Sequence, residues 1–391
     1  MTSAAERFDQ ITVEQLRRIG GMKWSRFPEA IGAFVAEMDF GVAPVVHAAI
    51  QSAVDAGLHG YLPTAHQEAM QAACGAWQRE RYGWEVPSEW VRPLGDVLQG
   101  MRAAIEMFTE PGSAIVVPTP AYMPFLTLPA MTGREVMQVP MRSGDDGWSL
   151  DLDGIDRAFA AGGGMLVFCN PHNPIGKVYS RAEMSAVAEI VQRHGARVFA
   201  DEIHAPLVFA GAAHVPYAAV SAVTAGHTIT ATSASKAWNL PGLKCAQVIL
   251  SNEQDAATWT GQFKGFYTEH GAGNLGVIAN TAAYSAGGDW LGEIVDYLEG
   301  NRRLFGELVA EHLPGVRCAL PEGTYLAWLD CRSLGLGDRP AEFFQEQAQV
   351  VCTDGAECGD VGAGHLRFNF ATPRPILCEA VGRMGRALAA R

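Results

Sequence analysis

Thr232-Ser233-Ala234-Ser235-Lys236-Ala237-Trp238-Asn239-Leu240-Pro241-Gly242-Leu243-Lys244 is the stretch whose reading decides the fold, and Lys236 stands at its centre. Holding a lysine beside apolar residues is unfavourable, yet this one lies between a run that reads as a strand, 228–231, and the rigid Leu240-Pro241-Gly242 turn. A lysine amine attacks an aldehyde only when unprotonated, and desolvation or neighbouring charges lower its pKa toward neutrality. Ser233 and Ser235 add hydroxyl donors and Lys244 adds a cation, the groups that an anion such as a phosphate needs close by. Together they suggest a phosphorylated aldehyde cofactor. Only five lysines occur, Lys23, Lys177, Lys236, Lys244 and Lys264, so the candidates for such a linkage are few. A surface lysine on a serine-rich loop is the plainer reading, and the rest of the chain has to decide.

On either side of this stretch, short apolar runs alternate with amphipathic helical patterns, as in a mostly parallel sheet covered on both faces. Strands are expected at 114–117, 135–139, 165–169, 197–200, 228–231 and 246–250, and helices at 99–108, 152–160, 181–193 and 253–261. A helix from Pro44 to Gly57 and another over 64–82 flank the Gly60-Tyr61-Leu62-Pro63 turn. These make a large α/β domain over 45–287, with residues 1–44 as an N-terminal arm. Beyond Gly287-Gly288 the pattern changes. A long helix at 290–313, strands at 316–320 and 324–329, a helix at 339–347, strands at 350–352 and 365–370 and a last helix at 375–389 describe a smaller α+β C-terminal domain, 288–391.

In an open α/β sheet ligands bind beyond the carboxyl ends of the strands, so the residues there carry the most information. After 165–169 comes Asn170-Pro171-His172-Asn173-Pro174-Ile175-Gly176, where prolines fix the backbone and Asn173 is presented as a polar group. After 197–200 comes Asp201-Glu202-Ile203-His204; a carboxylate at a strand end needs a cationic partner, and the protonated ring nitrogen of a heteroaromatic cofactor would be one. Asp201 capping the next turn is the competing structural role. Gly95-Asp96-Val97-Leu98 precedes the helix at 99–108, and backbone N–H groups at a helix start make an anion site, with Asp96 acceptable there as an N-cap. Pro118-Thr119-Pro120-Ala121-Tyr122 presents an aromatic ring on which a planar cofactor could stack, although Tyr122 suits a core as well. Arg367, inside the apolar run His365-Leu366-Arg367-Phe368-Asn369-Phe370, needs an anion, and a substrate carboxylate held bidentately would serve.

Composition narrows the alternatives. The 391 residues suggest two or three domains, and 48% hydrophobic with 18% charged residues describes a packed chain rather than a disordered one. A net charge of −13 without a Lys/Arg cluster argues against nucleic acid. Eight cysteines without a Cys-x-x-Cys pair read as reduced, buried thiols rather than metal ligands. With no apolar leader and no apolar run of membrane length, the expectation is a cytoplasmic protein that needs no metal and acts on small molecules.

The order and spacing of these parts resemble, over essentially the whole chain, the pyridoxal phosphate (PLP) enzymes of fold type I, the aspartate aminotransferase fold. Within it, Val35-Ala36-Glu37-Met38-Asp39-Phe40, the Asn170 to Gly176 turn, Asp201-Glu202-Ile203-His204, Ser233-Ala234-Ser235-Lys236 and Arg367-Phe368-Asn369-Phe370 look like the MalY/PatB subgroup of cystathionine β-lyase-like carbon–sulfur lyases. The resemblance implies a large domain built on a mostly parallel seven-stranded sheet and a smaller α+β C-terminal domain. It implies that Lys236 holds pyridoxal 5'-phosphate as a Schiff base and shuttles the substrate Cα proton, that Asp201 pairs with the ring nitrogen, that Asn173 bonds the ring oxygen with His204 nearby, and that Tyr122 stacks on the ring. The phosphate would lie on the backbone of Val97 and Leu98 with Ser233, Ser235 and Lys244, and with Tyr61 from a second subunit, hence a homodimer with composite sites. Arg367, aided by Asn173 and the Ala36 region, would hold the substrate α-carboxylate. Two residues depart from the usual pattern, Glu37 in place of aspartate and Asp96 in place of a small residue.

The implied reaction is α,β-elimination from L-cystathionine or an S-substituted L-cysteine to a thiol, pyruvate and ammonia. An aminotransferase shares the early steps and is the alternative; a non-catalytic PLP-binding regulatory module is a third. Asp39 and the Asp201 to His204 tetrad are the features taken to favour elimination.

Overall fold

The computed structural model describes residues 4–144 and 147–391. Its centre is a seven-stranded sheet made of β1 (Val91–Leu94), β2 (Ala114–Thr119), β3 (Val136–Pro140), β4 (Gly163–Cys169), β5 (Arg197–Asp201), β6 (Thr228–Thr232) and β7 (Ala246–Leu250), in the spatial order β1-β7-β6-β5-β4-β2-β3. All neighbours run parallel except β7, which is antiparallel to both β1 and β6. The central strands carry apolar residues continuously because helices cover both faces. Six of the seven strands match sequence expectation; β1 escapes it because Pro93 interrupts the pattern. As an edge strand β1 tolerates a residue that cannot donate to the ladder.

The chain proceeds outward from β2 to β3, crosses back over β2 to β4, and then advances through β5 and β6 to β7. The reversal between β2 and β4 is the topological switch point, where a crevice opens beyond the carboxyl ends. Helix Val97–Phe108 starts two residues earlier than its pattern suggests, because the Asp96 carboxylate accepts from the Gln99 N–H at 3.0 Å and caps it. Helix Met123–Met131 was hidden by Pro124 and Pro129, and helix Asn274–Ala286 by its small, weakly periodic residues.

The C-terminal part packs helices Gly288–His312 and Arg374–Ala389 against a four-stranded antiparallel sheet of β8 (Arg317–Cys318), β9 (Leu326–Asp330), β10 (Thr353–Asp354) and β11 (His365–Asn369), in the order β8-β9-β11-β10. The expected strand at 350–352 is two pieces: Val350–Val351 pairs in parallel with Ile31–Gly32, and Thr353–Asp354 joins β11. Residue 176 links this part to the large sheet. The Gly176 carbonyl accepts from Glu322 N–H at 2.8 Å and Gly323 N–H at 2.9 Å. Gly176 has φ +72°, and a Cβ there would come within 2.2 Å of Pro321 Cβ, so only glycine fits.

The N-terminal segment completes the small sheet's environment. Lys23 and Asp39 are both buried and form an ion pair at 2.8 Å, and Trp24 Nε1 donates to the other Asp39 oxygen at 2.8 Å. Deleting one partner of a buried pair leaves an uncompensated charge, which costs on the order of 3–5 kcal/mol. Lys23→Met is therefore expected to lower the melting temperature clearly in calorimetry, and a melting temperature equal to wild type would contradict this role.

Candidate active site

An open cavity lies at the switch point, where small-molecule sites of such sheets are found. Its wall is assembled from strand ends: Tyr122 after β2, Cys169 and Asn173 at and after β4, Asp201, Ile203 and His204 at and after β5, Ser233, Ser235 and Lys236 after β6, with Val97 and Leu98 from the capped helix and Ala36 from the N-terminal segment. Of the residues expected in the site, only Tyr61 and Arg367 fall outside this lining. Tyr61 is 99% exposed and belongs to a separate surface cleft; Arg367 is buried immediately behind Asn173.

The Lys236 amine donates to the carbonyl of Ala36 at 2.8 Å. Burial, and next the Arg367 guanidinium, bring its pKa down to about 8, against the opposing charges of Asp201 and Glu37. Asp201 is buried at the carboxyl end of β5, and burial pushes its carboxyl up to about 6, although one oxygen accepts from Ile203 N–H at 3.1 Å. His204 is held well below the usual histidine range, by burial first and then by Lys236 and Arg367, and its Nδ1 has no protein partner among the described residues.

Arg367 is a buried guanidinium with a purpose-built cage. Nη1 donates to Asn173 Oδ1 at 3.2 Å, and Nη2 donates to the Phe34 carbonyl at 2.8 Å and Thr353 Oγ1 at 3.0 Å, while Nε is buried without a partner. Native interiors rarely leave such a donor unsatisfied, so an incoming acceptor is the natural explanation.

Helix Val97–Phe108 presents the N–H groups of Val97 and Leu98, which have no intrahelical acceptor. Asp96 does not spoil this anion site, because Oδ1 caps the helix and Oδ2 receives Lys244 Nζ at 3.2 Å. The same contact places the Lys244 amine beside Asp96 in the lining of the cavity. Ser233, also in the lining, donates its hydroxyl proton to the Cys245 carbonyl at 2.7 Å and accepts from Ser235 N–H at 2.9 Å. Ser235 makes no such side-chain bond within the protein among the described residues.

His172, singled out beside Asn173, is not in the cavity. Burial lowers it to about 4, so it is neutral; Nε2 donates to the Pro120 carbonyl at 2.8 Å and Nδ1 accepts from Tyr179 Oη at 2.9 Å. It clamps the Asn173 turn to the Tyr122 turn. Asp39 is engaged with Lys23 and Trp24 inside the N-terminal segment. Tyr325 was missed altogether, since a tyrosine in an apolar strand run reads as core. It is fully buried, yet its hydroxyl donates to the Ala36 carbonyl at 2.9 Å, the oxygen that Lys236 also uses.

A family described as "Aminotransferase class I and II" matches residues 35–383. The chain belongs to that family. It is 40% identical to the cystathionine beta-lyase of Corynebacterium glutamicum, over 98% of this chain and 100% of the relative. It is 32% identical to the cystathionine beta-lyase PatB of Bacillus subtilis, over 94% and 96%. The crystal structure of cystalysin from Treponema denticola, which contains a pyridoxal 5'-phosphate cofactor, superposes with a TM-score of 0.90 at 26% identity, covering 100% of both chains.

The raised Asp201 carboxyl has a consequence for the cofactor-free protein. Its folded pKa, about 6, exceeds the usual carboxyl value, so between about pH 4 and 6 the folded chain keeps a proton that the unfolded chain releases. The contribution is present in full below that window and is lost as pH rises through it, by at most about 1.4 kcal/mol per pH unit. Denaturant unfolding of the cofactor-free wild type and of Asp201→Asn across this window is expected to show the wild type losing stability relative to the variant as pH rises. Parallel curves would refute the assignment.

Proposed function

We propose that this protein is a pyridoxal 5'-phosphate-dependent carbon–sulfur β-lyase that cleaves L-cystathionine or an S-substituted L-cysteine to a thiol, pyruvate and ammonia. The observation that carries the choice of elimination over transamination is the 40% identity, over the full length of the relative, to an enzyme named cystathionine beta-lyase.

The residues present fit the cofactor. Asp201, buried at the strand end, would accept a hydrogen bond from the ring nitrogen and keep it protonated; the unpartnered His204 Nδ1 and Asn173 would face the ring oxygen; Tyr122 would stack on the ring. Val97 and Leu98 N–H groups and Ser235 would hold the phosphate, with Lys244 contributing charge through its contact to Asp96. Lys236 would be the attachment point, since its lowered pKa leaves a useful fraction of free amine near neutrality. Bound pyridoxal phosphate supplies an electron sink for the pair left when a Cα–H bond breaks.

The chain's own groups then do the following. Arg367 takes the substrate α-carboxylate, using the buried Nε that has no protein partner, while Asn173 fixes the guanidinium plane. Lys236 removes the Cα proton, and the cavity wall keeps the Cβ–S bond beside it as the thiolate departs. We take the chain to comprise an arm at 1–44, a large domain at 45–287 and a small domain at 288–391, and to act as a cytoplasmic homodimer. In support of the dimer, Tyr61 is almost wholly exposed and shares a surface cleft with the exposed Phe266, and Phe263 and Tyr267 of the same helix, Phe263–Glu269, are exposed as well. In support of a reducing compartment, the eight cysteines are all free.

The test uses the holoenzyme, L-cystathionine and no keto acid, with pyruvate and free thiol followed together. Many turnovers of pyruvate are expected, and Lys236→Ala is expected to abolish them. A reaction that stops after one turnover until a keto acid is added would instead identify an aminotransferase.

A further inference from the structure

Two turns face each other at the switch point, the one after β2 that carries Tyr122 and the one after β4 that carries Asn173. Neither continues its strand, so the backbone groups beside these two residues need partners of their own. Near Tyr122, the Thr119 carbonyl accepts from Met141 N–H and the Ala121 N–H donates to the Cys358 carbonyl, each at 2.8 Å. The Pro120 carbonyl between them is reached from the opposite turn, by His172 Nε2 at 2.8 Å. On that side the His172 N–H donates to the Lys177 carbonyl at 2.8 Å and its carbonyl accepts from Gly176 N–H at 2.7 Å. Asn173 therefore follows a residue whose backbone is tied at both ends and whose ring is tied to the facing turn.

Both nitrogens of the His172 ring are used, and their roles are fixed. A carbonyl can only accept, so Nε2 carries the proton; burial keeps the ring neutral, so Nδ1 is bare and accepts from Tyr179 Oη at 2.9 Å. Tyr179 is held in turn, with its N–H bonded to Asn170 Oδ1 at 3.1 Å and its ring packed on Phe168, centroids 4.8 Å apart. The tautomer and the plane of the imidazole are thus both set. Packing alone does not call for a histidine here. An apolar side chain would fill the same space but take away the partner that His172 gives to the buried Pro120 carbonyl and the buried Tyr179 hydroxyl. A shift of this turn would be passed on, because Asn173 Oδ1 accepts from Arg367 Nη1 at 3.2 Å.

We propose that His172 is a positioning residue for the cofactor: its ring sets the spacing between Tyr122, on the ring face, and Asn173, at the ring oxygen, and Tyr179 holds it in the tautomer that does so. His172 lies outside the cavity lining, so it acts through these two hydrogen bonds and neither gives nor takes a proton in the reaction. The role rests on the placing of the cofactor in this cavity and is the same whether elimination or transamination follows.

The test titrates pyridoxal 5'-phosphate into the wild type, His172→Leu, His172→Gln and Tyr179→Phe. It reads the dissociation constant and the visible circular dichroism band of the bound cofactor, which reports how the ring sits against its surroundings. His172→Leu is expected to raise the dissociation constant about fivefold and to weaken or shift the band. His172→Gln, whose amide still donates to a carbonyl, is expected to recover most of both, and Tyr179→Phe to change both in the same direction as His172→Leu but by less. A dissociation constant within twofold of wild type with an unchanged band in His172→Leu overturns the assignment even where the melting temperature falls, since that is the mark of a structural role alone. His172→Gln as impaired as His172→Leu overturns it too, and assigns the residue to packing of the turn. Should His172→Leu fail to fold, Tyr179→Phe decides, because it removes only a hydroxyl; an unchanged constant and band there overturn the assignment. A wild type that binds no pyridoxal phosphate overturns the placing of the cofactor itself.

Discussion

The hydrogen bond from Lys236 to the Ala36 carbonyl is the contact on which the geometry of the site depends. Lys236 follows a strand of the large sheet, Ala36 belongs to the N-terminal segment, and Tyr325, bonded to the same oxygen, enters β9 of the small sheet. Three distant parts of the chain thus meet on one carbonyl. The irregular backbone of 35–38 could not hold this position alone, and the amides of Asn239 and Asn369 fix it from opposite sides.

Within that frame the electrostatics follow from burial. A lysine and an aspartate are both kept from water, which moves the base down to about 8 and the acid up to about 6, so each changes charge near neutral pH. Arg367 adds a second cation that no acidic side chain contacts, and its cage consists of an amide, a hydroxyl and a carbonyl. The Arg367 end of the site therefore lacks an acidic partner, and a carboxylate substrate matches that shortage.

Much of this arrangement was legible in the residues. Continuous apolar runs gave the central strands, and the residues next to them, Asn173, Asp201 and Lys236, stood out because polar groups at buried strand ends need a reason. Periodicity failed where proline interrupts it, at β1 and at helix Met123–Met131, since edge strands and helix starts tolerate proline for reasons that depend on neighbours. It also failed for residues whose role lies in a long-range bond. Tyr325 resembles an ordinary core residue until its hydroxyl is seen 2.9 Å from the Ala36 carbonyl, and the bonds of Ser233 to Cys245 and of Lys244 to Asp96 are equally invisible in the sequence. Asp39 is the converse case, since a charged residue in a recognisable motif finds its partners, Lys23 and Trp24, within the N-terminal segment.

The contact between Gly176 and the Pro321–Gly323 turn bears on how the two sheets are held together. Two backbone bonds and a close steric fit join the turn carrying Asn173 to the turn that leads into Tyr325, and the Glu322 carboxylate accepts from Val178 N–H at 2.8 Å. The same seam lies beside the 3.2 Å contact between Asn173, on the large-sheet side, and Arg367, on β11 of the small sheet. The anchor for a carboxylate is in this way shared between the two sheets, so the docking of one sheet on the other is itself part of the binding site.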